Sequence, residues 1–463
     1  MTAKVQFDAE IIKRYDTSGP RYTSYPTAVA FTEQFTEKDY LDHAKNSNDD
    51  PIPSPLSLYF HIPFCDTVCF YCACNKIATK DYSRAEVYLE YLYKEIEMQA
   101  ALYDHDRKVE QLHFGGGTPT FLSDKQIESL MEKIRRHFNL YLSDDGDYSI
   151  EIDPRSVNAK TIGVLRDVGF NRFSLGVQDV NDKVQKAVNR IQPIEETRGI
   201  IQACRDNDAR SISIDLIYGL PFQTLSSFSD TLDEIIKLSP DRISVFNYAH
   251  LPNRFKPQRR INEADLPPSE EKLQILQLSI EKLIAAGYVY IGMDHFAKPD
   301  DELALAQENG KLHRNFQGYT THSNCDLVAM GVSSISSVAG CYSQNTKDID
   351  QYYEAISSGR FPVVKGLILD DDDMIRRRII QQLACHFKLD FELFETSYGF
   401  CFVDAFAREI EMLQPMVEDG LLSIDNNGMV VSASGRFLIR NICMAFDIGL
   451  RKKGVKERFS KVI

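Results

Sequence analysis

The chain has 463 residues, 43% of them hydrophobic and 26% charged, with a formal net charge of −14. That length exceeds one ordinary core, so one large domain with smaller pieces is expected, and no apolar run reaches the ~20 residues that span a bilayer. The acidic balance argues against nucleic acid or membrane as a partner, both being polyanions, and the opening MTAKVQFDAEIIKRYD has no apolar stretch or cleavage site, which points to the cytoplasm.

Residues 1–50 are expected to form a lid or strap, because GPRYTSYPTA (19–28) holds too many breakers for a buried helix. Beyond them, short β-branched and aromatic runs alternate with amphipathic stretches. LSLYFHI (56–62), VEQLHF (109–114), YSIEID (148–153), RFSLGVQ (172–178), SISIDLIYG (211–219) and RISVFNYA (242–249) read as six parallel strands. Residues 82–103 and 123–138 read as two of the crossover helices such strands require, the second capped by Ser123. The expected fold is therefore α/β, a partial (β/α)6 barrel over 51–368, two units short of a full barrel, with an N-terminal extension and a small mainly helical C-terminal domain. A long helix to about Ala286 and another buried strand, DLVAMGVSSISSV (326–338), leading into a small-residue turn, complete the barrel domain. The acidic run LDDDD (369–373) opens the last domain, 369–463, in which helices, a hairpin turning at Asn426–Gly428 and a final helix suggest a winged-helix shape.

Four of the ten cysteines fall within HIPFCDTVCFYCACNK (61–76) as Cys65, Cys69, Cys72 and Cys74. In a reducing compartment such clustering means metal or catalysis before disulfides, and the segment follows the first strand, at the end where barrel active sites lie. Three thiolates from one short loop fit three corners of a [4Fe–4S] cube and leave one iron open. A zinc knuckle completed by a distant histidine is the alternative. LHFGGGTPT (112–120) brings three glycines to the end of the second strand, where backbone can approach a ligand closely; it lacks the G-x-G-x-x-G of a dinucleotide site. Tyr59 and His61 share one face of the first strand, as Glu151 and Asp153 share one face of the third. Gln178 and Asp215 lie at the ends of the fourth and fifth strands, with Arg190 shortly after the fourth.

The C-x3-C-x-aromatic-C pattern of Cys65, Cys69, Tyr71 and Cys72 resembles the signature of the radical S-adenosylmethionine (SAM) superfamily. GPRYTSYPTA, YFHIPFC, LHFGGGTPT, EIDP, GVQD, DLIYGLP, YAHLP and the stretch 293–322 together resemble its oxygen-independent coproporphyrinogen III oxidases nearly end to end. The resemblance implies a [4Fe–4S] cluster on Cys65, Cys69 and Cys72, and two SAM molecules. Tyr59, Gly116, Glu151 and Ile335 would contact the first, and Tyr71, Gly117, Thr118, Gln178, Arg190, Asp215, Ile217 and Ala249 the second. Cys74 and Tyr59 are the candidate catalytic residues. The implied reaction turns two propionates of coproporphyrinogen III into vinyl groups, giving protoporphyrinogen IX. The implied partner is a low-potential electron donor of the flavodoxin or ferredoxin type, and the expected state is a monomer. A tetracarboxylate substrate calls for local cations; the candidates are Arg21, with Tyr22 or Tyr25 near the ring, and Lys256, Arg259, Arg260, Lys311 and Arg314. Two other readings stand beside this one: a haem-binding relative of the haem-chaperone kind without oxidase activity, which lacks the Cys at the position of Cys74, and a zinc-binding interaction protein.

Overall fold

The structure, a computed structural model, describes residues 8–451 and residue 459. The first seven residues of the expected lid and most of the last twelve of the C-terminal domain lie outside the described residues. Two compact units emerge, one of residues 31–275 and 324–368, the other of residues 1–30, 276–323 and 369–463. The units do not follow chain order: 276–323 groups with the C-terminal segment, and 31–50 with the main sheet. Among the described residues no helix is long and apolar enough to cross a membrane.

The larger unit is built on β1 (Leu56–Ile62), β2 (Lys108–Gly116), β3 (Asp147–Ile152), β4 (Arg172–Gln178), β5 (Ser211–Tyr218), β6 (Arg242–Asn247) and β7 (Asp326–Met330). They lie in the order β6-β5-β4-β3-β2-β1-β7, with every neighbouring pair parallel. The six expected strands are present, and β1 is flanked by β2 and β7. Crossovers carry α1 (Ser83–Ala100), α2 (Asp124–His137), α3 (Ala159–Asp167), α4 (Ile194–Asp206) and α5 (Leu225–Leu238). In α2 the buried residues are Ile127, Leu130, Met131 and Ile134, one helical stripe, and Ser123 forms a capping box with Gln126. Six of the seven β1 residues are buried, as a strand with neighbours on both edges and cover on both faces requires.

The run 326–338, expected as one strand, is two: β7 ends at Met330, and β8 (Ile335–Val338) returns antiparallel to it. Gly331 sits at φ +96°, where a Cβ would lie 2.4 Å from the Tyr88 hydroxyl, and Ser333 also has positive φ. The buried Glu95 carboxylate of α1 fixes this corner by accepting from the Gly331 N–H at 2.7 Å, Asn345 Nδ2 at 2.9 Å and the Tyr352 hydroxyl at 2.6 Å. Small residues without a proline or a charge, Gly331 to Ser334, concealed the turn from a reading based on hydrophobic runs. Two further antiparallel strands, β9 (Cys341–Asn345) and β10 (Val363–Ile368), extend the sheet.

In the smaller unit α6 (Asp371–His386) precedes a three-stranded sheet ordered β11 (Lys388–Asp390), β13 (Gly428–Val431), β12 (Leu422–Ile424), and α7 (Ile439–Phe446) follows it. The stretch 19–28 is not helical until Ala28. Within this unit it is tied down as a strap: Arg440 of α7 donates to the carbonyls of Pro20 at 2.8 Å and Gly19 at 2.6 Å. Tyr22 and Tyr25 are buried; the Tyr22 hydroxyl donates to Asp447 at 3.0 Å, and the Ile448 N–H donates to the Tyr25 hydroxyl. The Tyr22 hydroxyl, expected near a substrate ring, is thus already engaged inside the unit.

Candidate active site

The cysteine loop leaves β1 and is closed at its base by a two-residue parallel pairing of Phe64 with Ile77 and Cys65 with Ala78. Its backbone is then fastened point by point. The Phe70 N–H donates to the Val188 carbonyl at 2.9 Å, Asn189 Nδ2 to the Val68 carbonyl at 2.9 Å and Gln258 Nε2 to the Tyr71 carbonyl at 2.9 Å. His61 Nε2 meets the Asn75 carbonyl at 3.0 Å. A loop held on both flanks can present thiols with little disorder to overcome on binding.

Those thiols line a cavity of about 400 Å³ at the C-terminal ends of β2 to β5. Cys65, Cys69, Tyr71, Cys72, Cys74, Gly116, Gly117, Thr118, Glu151, Gln178, Arg190 and Asp215 all face it. Tyr59, Ile217, Ala249 and Ile335 are not among its lining residues. Tyr59 stacks on His113 with ring centroids 5.8 Å apart and meets His61 Nδ1 at 3.2 Å, while Ile217 packs in the cluster that holds Phe70 and Tyr71. Of the expected substrate cations, Arg21, Lys256, Arg259, Arg260 and Lys311 are exposed and Arg314 is buried. Arg260 lies 5.3 Å from the Phe70 ring centre.

The electrostatics of the cavity centre on Asp153. Arg155 holds it with Nε at 2.9 Å and Nη2 at 2.6 Å, and Arg190 Nη1 adds a third bond at 3.1 Å. Burial works to raise the Asp153 pKa, but the bond from Arg155 and the two guanidinium charges win and hold it below the usual carboxylate value. Arg190 also donates to the Gly176 carbonyl, and its Nη1 lies 3.7 Å from the Cys69 sulfur; Arg155 Nη2 lies 3.9 Å from the same sulfur. The Thr118 hydroxyl donates to the Cys65 sulfur at 3.4 Å. Cys72 is shifted down to about 6, first by the hydrogen bond from Cys74 and then, against burial, by the Lys76 ammonium. Burial outweighs the Thr118 bond at Cys65 and pushes that thiol up to about 11, so the thiolate, the form a metal centre binds, is favoured at Cys72. Three such sulfurs from one loop fit an iron–sulfur cluster with one iron unligated by protein.

Opposite the loop, the polar wall comes from strand ends. The Glu151 carboxylate accepts from the Gly116 N–H at 3.2 Å and lies 3.4 Å from His113 Nε2. Asp215, half-buried, is pushed up to about 6, first by desolvation and then by the Glu151 charge. Gly116 sits at φ +119°, and a Cβ there would strike the His61 ring at 2.7 Å; at Gly117 a Cβ would lie 2.7 Å from the Phe64 carbonyl oxygen. These two positions therefore require glycine.

Sequence reasoning missed Arg155, Ser174 and Lys76 as lining residues. Ser174 shares the face of Gly176 and Gln178, so counting back by twos from Gln178 finds it. Arg155 carries no such signal, because it lies in a single 3-10 turn after β3.

Comparison with known proteins gives a consistent set of likenesses. A radical SAM superfamily model matches residues 59–235, and a HemN C-terminal domain model matches residues 369–438. The chain is 55% identical over 463 residues to a Pseudomonas aeruginosa protein named oxygen-independent coproporphyrinogen III oxidase, covering 100% of both. It is 48% identical over 460 residues to the protein of that name from Escherichia coli K12, covering 99% of each. The solved structure of coproporphyrinogen III oxidase (HemN) from Escherichia coli, described as a radical SAM enzyme, superposes with a TM-score of 0.91 at 47% identity, over 96% of this chain and 100% of that one.

Proposed function

Since this chain belongs to the oxygen-independent coproporphyrinogen III oxidases of the radical SAM superfamily, we propose how its own residues divide the work of that reaction. The chain is an oxidoreductase of porphyrin biosynthesis that decarboxylates two propionates of coproporphyrinogen III to vinyl groups, giving protoporphyrinogen IX, with a [4Fe–4S] cluster and SAM as cofactors. Full-length identity to named oxidases supports this reading over a haem carrier or a zinc-binding interaction protein. The observation that carries the site assignment is the meeting of the loop thiols and the strand-end polar groups on one cavity.

When bound, the cluster and SAM supply a deoxyadenosyl radical able to take hydrogen from carbon. Cys65, Cys69 and Cys72 hold the cluster. Arg190, Arg155 and Thr118 direct N–H and O–H groups at the sulfurs of Cys69 and Cys65 and so stabilise their negative charge. Gly116 and Gly117 let backbone approach the cofactor, and Glu151 offers a carboxylate to its ammonium or ribose hydroxyls. Two SAM molecules are accommodated, one by Tyr59, Gly116, Glu151 and Ile335, the second by Tyr71, Gly117, Thr118, Gln178, Arg190, Asp215, Ile217 and Ala249. Tyr59 and Cys74 act at the reacting end; Cys74 is exposed and donates its S–H to the Cys72 sulfur, outside the three-ligand set. Arg21 is the proposed cation for a propionate. The protein works in the cytoplasm as a monomer, reduced by a flavodoxin- or ferredoxin-type donor.

The test is anaerobic turnover with coproporphyrinogen III, SAM and a reductant. Two SAM consumed per protoporphyrinogen, with deuterium from the propionate β-carbon recovered in 5′-deoxyadenosine, is the expected result; turnover without that transfer contradicts the assignment.

A further inference from the structure

Two of the three glycines that end β2 are required by the loop beside them, Gly116 by the His61 ring and Gly117 by the Phe64 carbonyl. Gly115 answers to a different pair. A Cβ there would stand 3.0 Å from Glu151 Oε1 and 3.0 Å from His113 Nε2, in the gap across which those two atoms face each other at 3.4 Å. Gly115 is not at positive φ, so what glycine supplies here is space and not backbone freedom.

The neighbours of His113 fix which of its nitrogens carries the proton. His113 sits in one row across three strands, paired with Tyr59 of β1 and Ser149 of β3. The Tyr59 ring stacks on it with centroids 5.8 Å apart, and Ser149 Oγ lies 2.7 Å from Nδ1. The other acceptor open to the Ser149 hydroxyl, the Leu112 carbonyl, is 3.4 Å away. The shorter contact takes the hydrogen. Nδ1 therefore accepts, and Nε2 carries the ring's N–H, turned to a carboxylate that can only accept.

Glu151 is thereby gripped at both oxygens, Oε2 by the Gly116 N–H at 3.2 Å and Oε1 by His113. Among the described residues no lysine or arginine pairs with it, and its charge reaches Asp215 as a like charge. Donors that orient a carboxylate without a lysine or arginine beside it leave its charge for a ligand.

We propose that His113 is a positioning residue for the SAM contact of Glu151: its Nε2–H holds Oε1, Ser149 sets its tautomer, and Gly115 keeps the gap open. This rests on the reading of Glu151 as a carboxylate that meets SAM. The 3.4 Å contact is longer than a tight N–H···O bond, as such contacts are before a ligand draws them in.

The experiment uses the cluster-loaded protein under anaerobic conditions and measures SAM binding by equilibrium dialysis, without turnover. The proteins are wild type, Gly115→Ala, His113→Gln, His113→Phe, Glu151→Gln and the His113→Phe/Glu151→Gln double variant. Phenylalanine keeps a ring against Tyr59 and removes the donor, whereas glutamine puts an amide N–H where Nε2 stood. His113→Phe should weaken SAM binding about 10-fold or more, the scale on which partners that orient a ligating group act. His113→Gln should stay within about 3-fold of wild type. In the Glu151→Gln background His113→Phe should cost less than about 3-fold, because the charge it serves is gone. Gly115→Ala should match His113→Phe, with the cluster absorbance unchanged in both. Nitrogen-15 spectra of histidine-labelled wild type, assigned by the signals lost in either His113 variant, should show a protonated Nε2 and a bare Nδ1. Full additivity of His113→Phe and Glu151→Gln overturns the proposal, since a residue that merely shapes the sheet acts whatever the charge at 151. So do equal losses in His113→Gln and His113→Phe, or a proton on Nδ1 in wild type, a result that needs no variant to bind SAM. Glu151→Gln with wild-type SAM binding would instead reject the reading of Glu151, whereas weakened Glu151→Gln with an indifferent His113→Phe rejects the positioning role alone.

Discussion

The Asp153 network permits a quantitative prediction. Replacing Arg190 by Met removes a charge-assisted bond to Asp153 and the donor to the Gly176 carbonyl. Asp153 is not orphaned, because Arg155 still holds it with two bonds of 2.9 and 2.6 Å. The cost is therefore that of a lost bond to a charged group plus a lost bond to a carbonyl, about 2–3 kcal/mol, and not the 3–5 kcal/mol of a fully broken buried pair. Arg155→Met, at a side chain one-fifth exposed, should cost about 1–2 kcal/mol, since Arg190 remains. In the double variant Asp153 loses every guanidinium partner described for it, so the effects should exceed their sum by at least about 1 kcal/mol. The chain has no tryptophan, so denaturant unfolding of the four anaerobic proteins is best followed by far-UV circular dichroism, fitting the transition of the larger unit separately. The folded Asp153 pKa lies below 3.8, so the stability its partners confer is present above that pH and lost as pH falls through the folded value. The gap between wild type and double variant should narrow accordingly in acid. Additive effects, or an Arg190→Met cost below about 0.5 kcal/mol, would refute the reasoning.

Cys65→Ser, Cys69→Ser and Cys72→Ser should each abolish the iron–sulfur absorbance while Cys74→Ser keeps it; equal iron loss in all four would sink the three-ligand assignment. The Asp215 carboxyl is raised from 3.8 to about 6, so the stability it contributes is complete below pH 4 and is lost as pH rises through 6, about 3 kcal/mol in all. Asp215→Asn should remove that decline, and parallel stability-against-pH curves for the two proteins would exclude it. Gly117→Ala drives a Cβ onto main-chain atoms of Pro63 and Phe64, so it should cost about 1–3 kcal/mol and weaken SAM binding measured by equilibrium dialysis. Gly199→Ala, on α4 with nothing within 4 Å, is the matched control and should be neutral or stabilising by up to about 1 kcal/mol.

Much of the fold was readable because parallel strands buried on both faces leave continuous apolar runs, and all six marked runs became strands. The run 326–338 failed where a corner of small residues, Gly331 to Ser334, interrupts an apolar run without a proline or a charge to mark it, and only backbone sign and the distant Glu95 distinguish it. In the cavity, positions at strand ends were legible by period and placement. Arg155 was not, because its role comes from a single 3-10 turn that folds its side chain back onto Asp153 two residues earlier, and strand period does not reach into that turn. Tyr22 and Tyr25 look like ligand-facing aromatics in a breaker-rich stretch, yet their hydroxyls meet Asp447 and Ile448, more than 400 residues away in the chain.

The placement of β1 between β2 and β7 also sets an order of events during synthesis. Leu56 pairs with Val109 on one edge and with Asp326 on the other. At about 5–20 residues per second, the ~270 residues separating Leu56 from Asp326 take on the order of 15–50 s to emerge. Throughout that interval the strand that carries the cysteine loop has one row of backbone groups unsatisfied, an adhesive edge next to four reduced thiols. Iron delivered to the nascent chain would meet a half-built frame. Cluster insertion is thereby favoured only once the last parallel strand, Asp326–Met330, has sealed that edge.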